Sequence, residues 1–259
     1  MRREFSVDGF QARLSTRYIG QRLLYHSSLP STQDAARQEA ESGAPEGTTV
    51  LADQQTAGRG RLGRRWVSPA GANLYFSMVL RPDAENLRSL VMIWPLAIAL
   101  GVEEATDLRA RVKWPNDVLV GSRKLAGVLI ESNFSGRGVD YAIPGIGINV
   151  NLDASRLGEI SDTATSISLE LGREASREEV LAAVLGRFEE LYEAGRRGEP
   201  VHLDWKARLD TLGRRVRVTF GDRVEEGLAE DAEPDGALVL LRADGSRVRI
   251  EAGDVTLRE

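Results

Sequence analysis

The sequence contains no cysteine, two histidines and only three lysines. Without cysteine there is neither a disulfide framework nor thiolate chemistry, and His26 and His202 alone do not make a histidine-built metal site. Aromatic side chains are sparse, with six Phe and five Tyr, which disfavours a base-stacking surface for nucleic acid. No apolar run approaches the roughly 18 residues that a membrane span requires. The longest, Leu90 to Gly101, is interrupted by Pro95. Behind the two arginines of Met1-Arg2-Arg3-Glu4-Phe5 there is no apolar stretch, so export is not expected and the location expected is cytoplasmic. The formal net charge of −5 argues against general nucleic-acid binding, though not against a local basic patch.

What is present describes a folded chain. Its 259 residues, 42% hydrophobic, are enough for one or two domains with a sizeable core. Of 34 basic residues, 31 are arginine, a bias that codon usage or heat adaptation would produce. The three lysines are Lys113, Lys124 and Lys206, and two of them fall within twelve residues.

Ser31 or Thr32 is expected to cap a helix that Gly43 and Pro45 stop. Strands are expected over Thr48 to Asp53 and Leu74 to Leu80, and a helix over Leu87 to Asp107 that Pro95 would kink. Three short strands follow (Arg111 to Trp114, Val118 to Val120, Ala126 to Glu131), then a longer one from Tyr141 to Leu152. Ser176-Arg177-Glu178-Glu179 reads as a capping box before a helix over Val180 to Ala194. A further helix is expected over His202 to Leu212. From Gly213 onward the helical signal ends, and short strands alternate with Asp235-Gly236 and Asp244-Gly245 turns, the pattern of a small β-barrel. A domain boundary is therefore expected near Leu212, dividing 1–212 from 213–259.

Three stretches carry chemistry. In the first, Gln54 to Trp66, Gly58-x-Gly60-x-x-Gly63 formally matches a dinucleotide fingerprint, and Asp83 lies about 20 residues further on. The following Arg64-Arg65-Trp66-Val67-Ser68-Pro69 does not open a helix, which weakens that reading. Instead, four guanidinium groups in seven residues with no acid among them repel one another unless a ligand or solvent compensates. Glycines that let the backbone close, with arginines that grip phosphate or carboxylate bidentately, suit an anion. Such a loop would be mobile when empty; a merely solvated loop or a nucleic-acid patch remains the alternative.

The second stretch runs from Lys113-Trp114-Pro115-Asn116-Asp117 to Arg123-Lys124-Leu125-Ala126-Gly127. Taken alone, Trp-Pro-Asn-Asp is a structural turn. Beside it stand both rare lysines, compact cations suited to phosphate or carboxylate, with a carboxylate to orient them or help hold Mg²⁺. In the third stretch, Gly145-Ile146-Gly147-Ile148-Asn149, glycines alternating along a strand require something close above one face, either backbone or a ligand ring. Asn149 could read a base edge with its paired donor and acceptor.

In this order, and together with Ser31-Thr32-Gln33 and the tail Gly227-Leu228-Ala229-Glu230 through Gly253-Asp254-Val255, these motifs resemble the biotin–protein ligases. The resemblance covers nearly the whole chain from about Leu23. It implies an α+β fold, with a mixed sheet and helices on one side as in class II synthetases, followed by an SH3-like barrel. It also implies ATP and Mg²⁺ as co-substrates, biotin as substrate, biotinyl-5′-AMP as intermediate and a biotin carboxyl carrier domain as acceptor. Neither nucleic acid nor membrane is expected as a partner, and a homodimer is left open. By the same resemblance, Arg59, Arg61, Lys124 and Asp117 are the catalytic candidates, with no resident metal site. Ser31, Thr32, Gln33, Gln55, Gly60 and Gly127, with Arg59, Arg61 and Lys124, would bind biotin. Gly58, Arg64, Trp66, Asn116 and Asn149, with Arg61 and Lys124, would bind the nucleotide, Trp66 packing on adenine. The family usually has Asn where this chain has Gln33, which keeps the amide on a longer arm. Only 30 residues precede Ser31, too few for the winged helix-turn-helix of bifunctional members, so no repressor activity is expected. A lipoate–protein ligase or octanoyltransferase would share this architecture, and a nucleic-acid-binding protein using the arginine loop is the alternative of another class.

Overall fold

A computed structural model describes residues 4–136, 138–153 and 162–257. Met1–Arg3, read above for leader character, lie outside them. The elements run α1 (Val7–Gln11), β1 (Leu23–His26), α2 (Thr32–Glu41), β2 (Thr49–Ala52), β3 (Leu74–Met78), α3 (Ala84–Thr106), β4 (Arg111–Lys113), β5 (Asp117–Val120), β6 (Arg123–Ser135) and β7 (Gly138–Ile148). They continue with α4 (Ile167–Leu171), α5 (Arg177–Arg196), α6 (Val201–Ala207), β8 (Arg215–Phe220), β9 (Arg223–Ala232), β10 (Leu238–Leu241), β11 (Arg247–Ile250) and β12 (Asp254–Leu257). Strands β1 to β7 form one mixed sheet in the order β1-β2-β3-β7-β6-β5-β4. Strands β8 to β12 form a separate antiparallel sheet ordered β11-β10-β9-β8-β12, the SH3-like unit.

Local chemistry sets the helix ends. Asp83 accepts from Asn86 N at 2.8 Å and caps α3, so the acid that completed the formal dinucleotide fingerprint serves as a helix cap. Ser176 caps α5 by accepting from Glu179 N, as its capping pattern indicated. The helix expected over His202 to Leu212 is shorter, ending at Ala207. Pro95 does not break α3, which runs 23 residues and is long and apolar enough to cross a membrane. Its buried run from Met92 to Ala99 instead packs into the core, where Trp94 stacks on Phe188 of α5 with ring centroids 3.8 Å apart and meets Phe76 edge-on.

Alternation along the strands gives the sheet two faces. Leu51, Leu74, Phe76, Met78, Ile146 and Ile148 join the core under α3 and α5. Val50 and Ile143 belong to a second, smaller cluster with Ala36 and Ala40 of α2. Helices were expected on one side only; the long ones obey this, whereas α2 packs on the opposite face. That second face carries the site, because α2 covers only part of it.

The contact between α3 and α5 rests on Gly101, where an added Cβ would lie 2.6 Å from the backbone N and Cα of Val184. Backbone cannot yield as a side-chain tip can. Gly101→Ala is therefore expected to cost about 3 kcal/mol in overpacking, offset by about 1 kcal/mol of helix propensity. Urea unfolding should show a net loss of about 2 kcal/mol; unchanged stability would show that the helices separate freely.

Candidate active site

The sheet register assembles the floor of the site. Tyr75 pairs with Gly147, Gly147 with Gly127, Gly127 with Asp117, and Asp117 with Lys113, so these five form one row across β3, β7, β6, β5 and β4. The adjacent row holds Ser77, Gly145 and Leu129. A cleft of about 480 Å³ lies over this floor. It is walled by the arginine loop, the β4–β5 turn, residues 162–164 and the start of β12.

The glycines in β7 do have something close above them, and it is protein. A Cβ on Gly147 would fall 2.3 Å from Trp66 Cε2, and one on Gly145 would fall 2.6 Å from Cγ and Cδ of Gln33. The two readings left open from the sequence, backbone or a ligand ring, both give way to side chains that themselves line the cleft. Trp66 spans Gly147 and Gly127, and its buried indole Nε1 has no hydrogen-bond partner among the described residues. The ring expected to pack on adenine thus lies on the sheet, with Lys124 Nζ 5.3 Å from its centroid. Gln33 uses its longer arm to donate to the carbonyls of Leu129 and Ile143, at 3.1 and 3.3 Å.

Of the residues singled out in the sequence, Thr32, Gln33, Gln55, Arg59, Gly60, Arg61, Arg64, Trp66, Asn116, Asp117, Lys124, Gly127 and Asn149 line the cleft. Ser31 and Gly58 do not. Ser31 is buried at the start of α2 and makes no side-chain cap; Gln55 Oε1 instead accepts from Thr32 N at 2.9 Å. Gly58 is required by its own loop, since a Cβ there would meet Trp66 O at 2.8 Å. Asn149 has both amide ends engaged, accepting from Asn73 and donating to Thr165 O.

Charge compensation in the loop comes from distant carboxylates. The loop folds back on itself with Gly60 N donating to Arg64 O at 2.7 Å, around a 3₁₀ turn at Arg61–Gly63. Arg59 makes a two-pronged contact with Asp34, both distances 2.8 Å, and lies 3.6 Å from Glu131. The hydrogen bond from Arg59 holds the Asp34 carboxyl below the usual carboxylate range. Arg61 donates to Asn116 Oδ1 and Gly253 O and lies 3.5 Å from Asp254, while Arg64 lies 2.8 Å from the same carboxylate. The expectation of mutual repulsion without a ligand fails because these acids are remote in sequence. Asp254 belongs to β12, so the C-terminal sheet closes one side of the cleft; its only signal in the sequence was the Gly253-Asp254-Val255 tail.

The β4–β5 turn joins the two sheets. Trp114 is buried and donates its indole N–H to Gly236 O at 2.8 Å, so this aromatic of the motif is structural. Lys124 is fixed by its backbone, donating to Thr163 O and accepting from Thr165 N, and its ammonium lies 2.7 Å from Asp117. Among the described residues no group of three His, Asp or Glu is arranged to hold a metal.

The cleft therefore has Gln33 lying over Gly145 at one end and is charged toward Lys124, with six cationic side chains against three carboxylates among the described residues that line it. That combination suits an anionic ligand laid along one face of the sheet. Known proteins share the sequence pattern and the fold. Residues 25–149 match the Biotin/lipoate A/B protein ligase family, and residues 211–258 match the Biotin protein ligase C terminal domain. The chain is 36% identical over 249 residues to the bifunctional ligase/repressor BirA of Bacillus subtilis, covering 94% of this chain and 76% of that one. It is 37% identical over 217 residues to the biotin–[acetyl-CoA-carboxylase] ligase of Paracoccus denitrificans, covering 80% and 88%. The structure of biotin protein ligase from Aquifex aeolicus in complex with biotin and ATP matches with a TM-score of 0.78 and 31% identity, covering 92% of this chain and 99% of that one. The chain belongs to the biotin–protein ligases.

Proposed function

We propose that this enzyme activates biotin with ATP to biotinyl-5′-AMP and transfers the biotinyl group to a lysine of a biotin carboxyl carrier domain. The observation that carries this reading is the gradient along one sheet face, from a glycine floor under Gln33 and Trp66 to the cations Lys124, Arg61 and Arg64. In the first step a biotin carboxylate oxygen attacks the α-phosphorus, and the bond to the bridging oxygen breaks, releasing pyrophosphate. Two anions must meet, so preorganised cations are required where charge accumulates. Lys124 is suited to bridge carboxylate and α-phosphate, with Asp117 orienting its ammonium. In the second step the neutral acceptor amine attacks the anhydride carbonyl and AMP leaves. Asp117 is the carboxylate suited to position that amine or take its proton.

Thr32, Gln33 and Gln55 are suited to the ureido ring. Residues 1–212 would supply the chemistry, and 213–259 the clamp that Asp254 provides on the arginine loop. Among the described residues no group of carboxylates forms a dedicated magnesium cage, so no step is assigned to the metal that accompanies the nucleotide.

Incubation with biotin, MgATP and an apo carrier domain should add one biotinyl group to the carrier, read by mass spectrometry. Calorimetric titration separates the lipoate alternative: tight lipoate binding with none for biotin would reject the assignment. Arg61→Ala removes the link from the loop to Asn116, Gly253 and Asp254. It should speed release of biotinyl-5′-AMP at least about tenfold, the scale of one lost charge-assisted hydrogen bond. Stopped-flow release from the loaded enzyme would check this, and an unchanged rate would remove Arg61 from adenylate retention.

A further inference from the structure

We propose that Lys113 is a catalytic residue that receives the pyrophosphate leaving group, an inference that rests on the adenylate-forming reading above. The three lysines of the chain differ in company. Lys124 is paired with Asp117 at 2.7 Å and Lys206 with Asp231. Lys113 lines the cleft, yet among the described residues it has no carboxylate within ion-pair distance. It stands directly across from Asp117 in the β4–β5 register, but that carboxylate turns the other way, to Lys124. Lys113 is half-buried and lines the cleft, so an anion entering there would meet an ammonium with no carboxylate at ion-pair distance among the described residues.

Its place on the floor says which anion. The row runs Gly147, Gly127, Asp117, Lys113, so Lys113 is two strand spacings, about 10 Å, beyond Gly127 and on the far side of Asp117 from the biotin end. An α-phosphate held at Lys124 leaves its β- and γ-phosphates extending past Asp117 toward Lys113. Three of the loop arginines already face an acid, Arg59 facing Asp34, and Arg61 and Arg64 facing Asp254, whereas Lys113 faces none at ion-pair distance among the described residues. Among the described residues Arg65 has no carboxylate at ion-pair distance, but it is exposed on the loop, whereas Lys113 is half-buried on a strand and therefore preorganised. As the Pα–O bond breaks, its electron pair stays on the bridging oxygen of pyrophosphate. Lys113 stabilises that growing charge by donating hydrogen bonds from its ammonium, with no proton transferred.

The test separates the two half-reactions. Lys113→Gln keeps length and polarity and loses the charge; Lys113→Arg restores it. Biotin-dependent ATP–pyrophosphate exchange by Lys113→Gln should fall about 30-fold, the effect of one lost charge-assisted contact, with weaker inhibition by pyrophosphate. Transfer from supplied biotinyl-5′-AMP to an apo carrier domain should stay within about twofold of wild type, because no phosphate leaves beyond AMP in that step. Lys113→Arg should recover most of the exchange. Equal loss in both half-reactions would make Lys113 structural, and unchanged exchange and pyrophosphate inhibition would remove it from the leaving-group site. A wild-type enzyme that transfers supplied adenylate but makes none would instead overturn the reading beneath it.

Discussion

Lys124→Ala is expected to abolish formation of biotinyl-5′-AMP while leaving the fold intact. The ammonium lies over Trp66 and against Asp117 at the charged end of the cleft, where carboxylate and α-phosphate would meet. Removing a preorganised cation from a site of developing charge costs about 10²–10³ in rate or more. Stability should change little, since the pair with Asp117 is partly solvated, with 35% and 23% of the two side chains exposed, and such pairs contribute about 1 kcal/mol or less. Biotin-dependent ATP–pyrophosphate exchange, with a thermal melt as control, measures both. Near-normal exchange in a folded variant would refute the role.

Gly147→Ala should impair biotin binding about 100-fold without unfolding the protein, because displacing a positioning group by about 1 Å is enough for such a loss. The new methyl would fall 2.3 to 2.6 Å from Cε2, Nε1 and Cζ2 of Trp66, so the indole must leave the floor. Trp66 cannot move alone. Its backbone N–H bonds to Gly58 O at 3.0 Å, and the loop bearing Arg59 and Arg61 lies between these residues. The strand itself tolerates alanine, since Gly147 has no left-handed backbone to preserve. Calorimetric titration with biotin and urea unfolding on the same variant separate the two effects. Wild-type affinity would mean that the indole position is irrelevant to the site.

Much of the fold was legible because its signals are local. A serine cap three residues before Glu179, alternation through Leu74–Met78 and Asp-Gly turns after Gly213 each act within a few positions, and the corresponding elements form there. The site was legible in another way, through motifs in a fixed order, and these brought Lys124, Arg61, Asn116 and Gln55 to one cleft. Ser31 and Gly58 lie outside the lining of the cleft for a physical reason: one is buried at the start of α2 and the other is held close against Trp66 O.

The sequence by itself determined the scarcity that made Lys113 and Lys124 stand out, the absence of thiol chemistry, the family, and the type of most elements, though not of α1, β1 or α4. Only the tertiary structure decided which acid meets which base. Asp34, Glu131 and Asp254 lie on α2, β6 and β12, and they reach the arginine loop only because sheet register and the docking of the second sheet fix the distances. The same register sends Asp117 to Lys124 and leaves Lys113 for another anion. Coulombic pairing depends on a few ångströms of separation rather than on sequence order, and those ångströms exist only after the chain has folded.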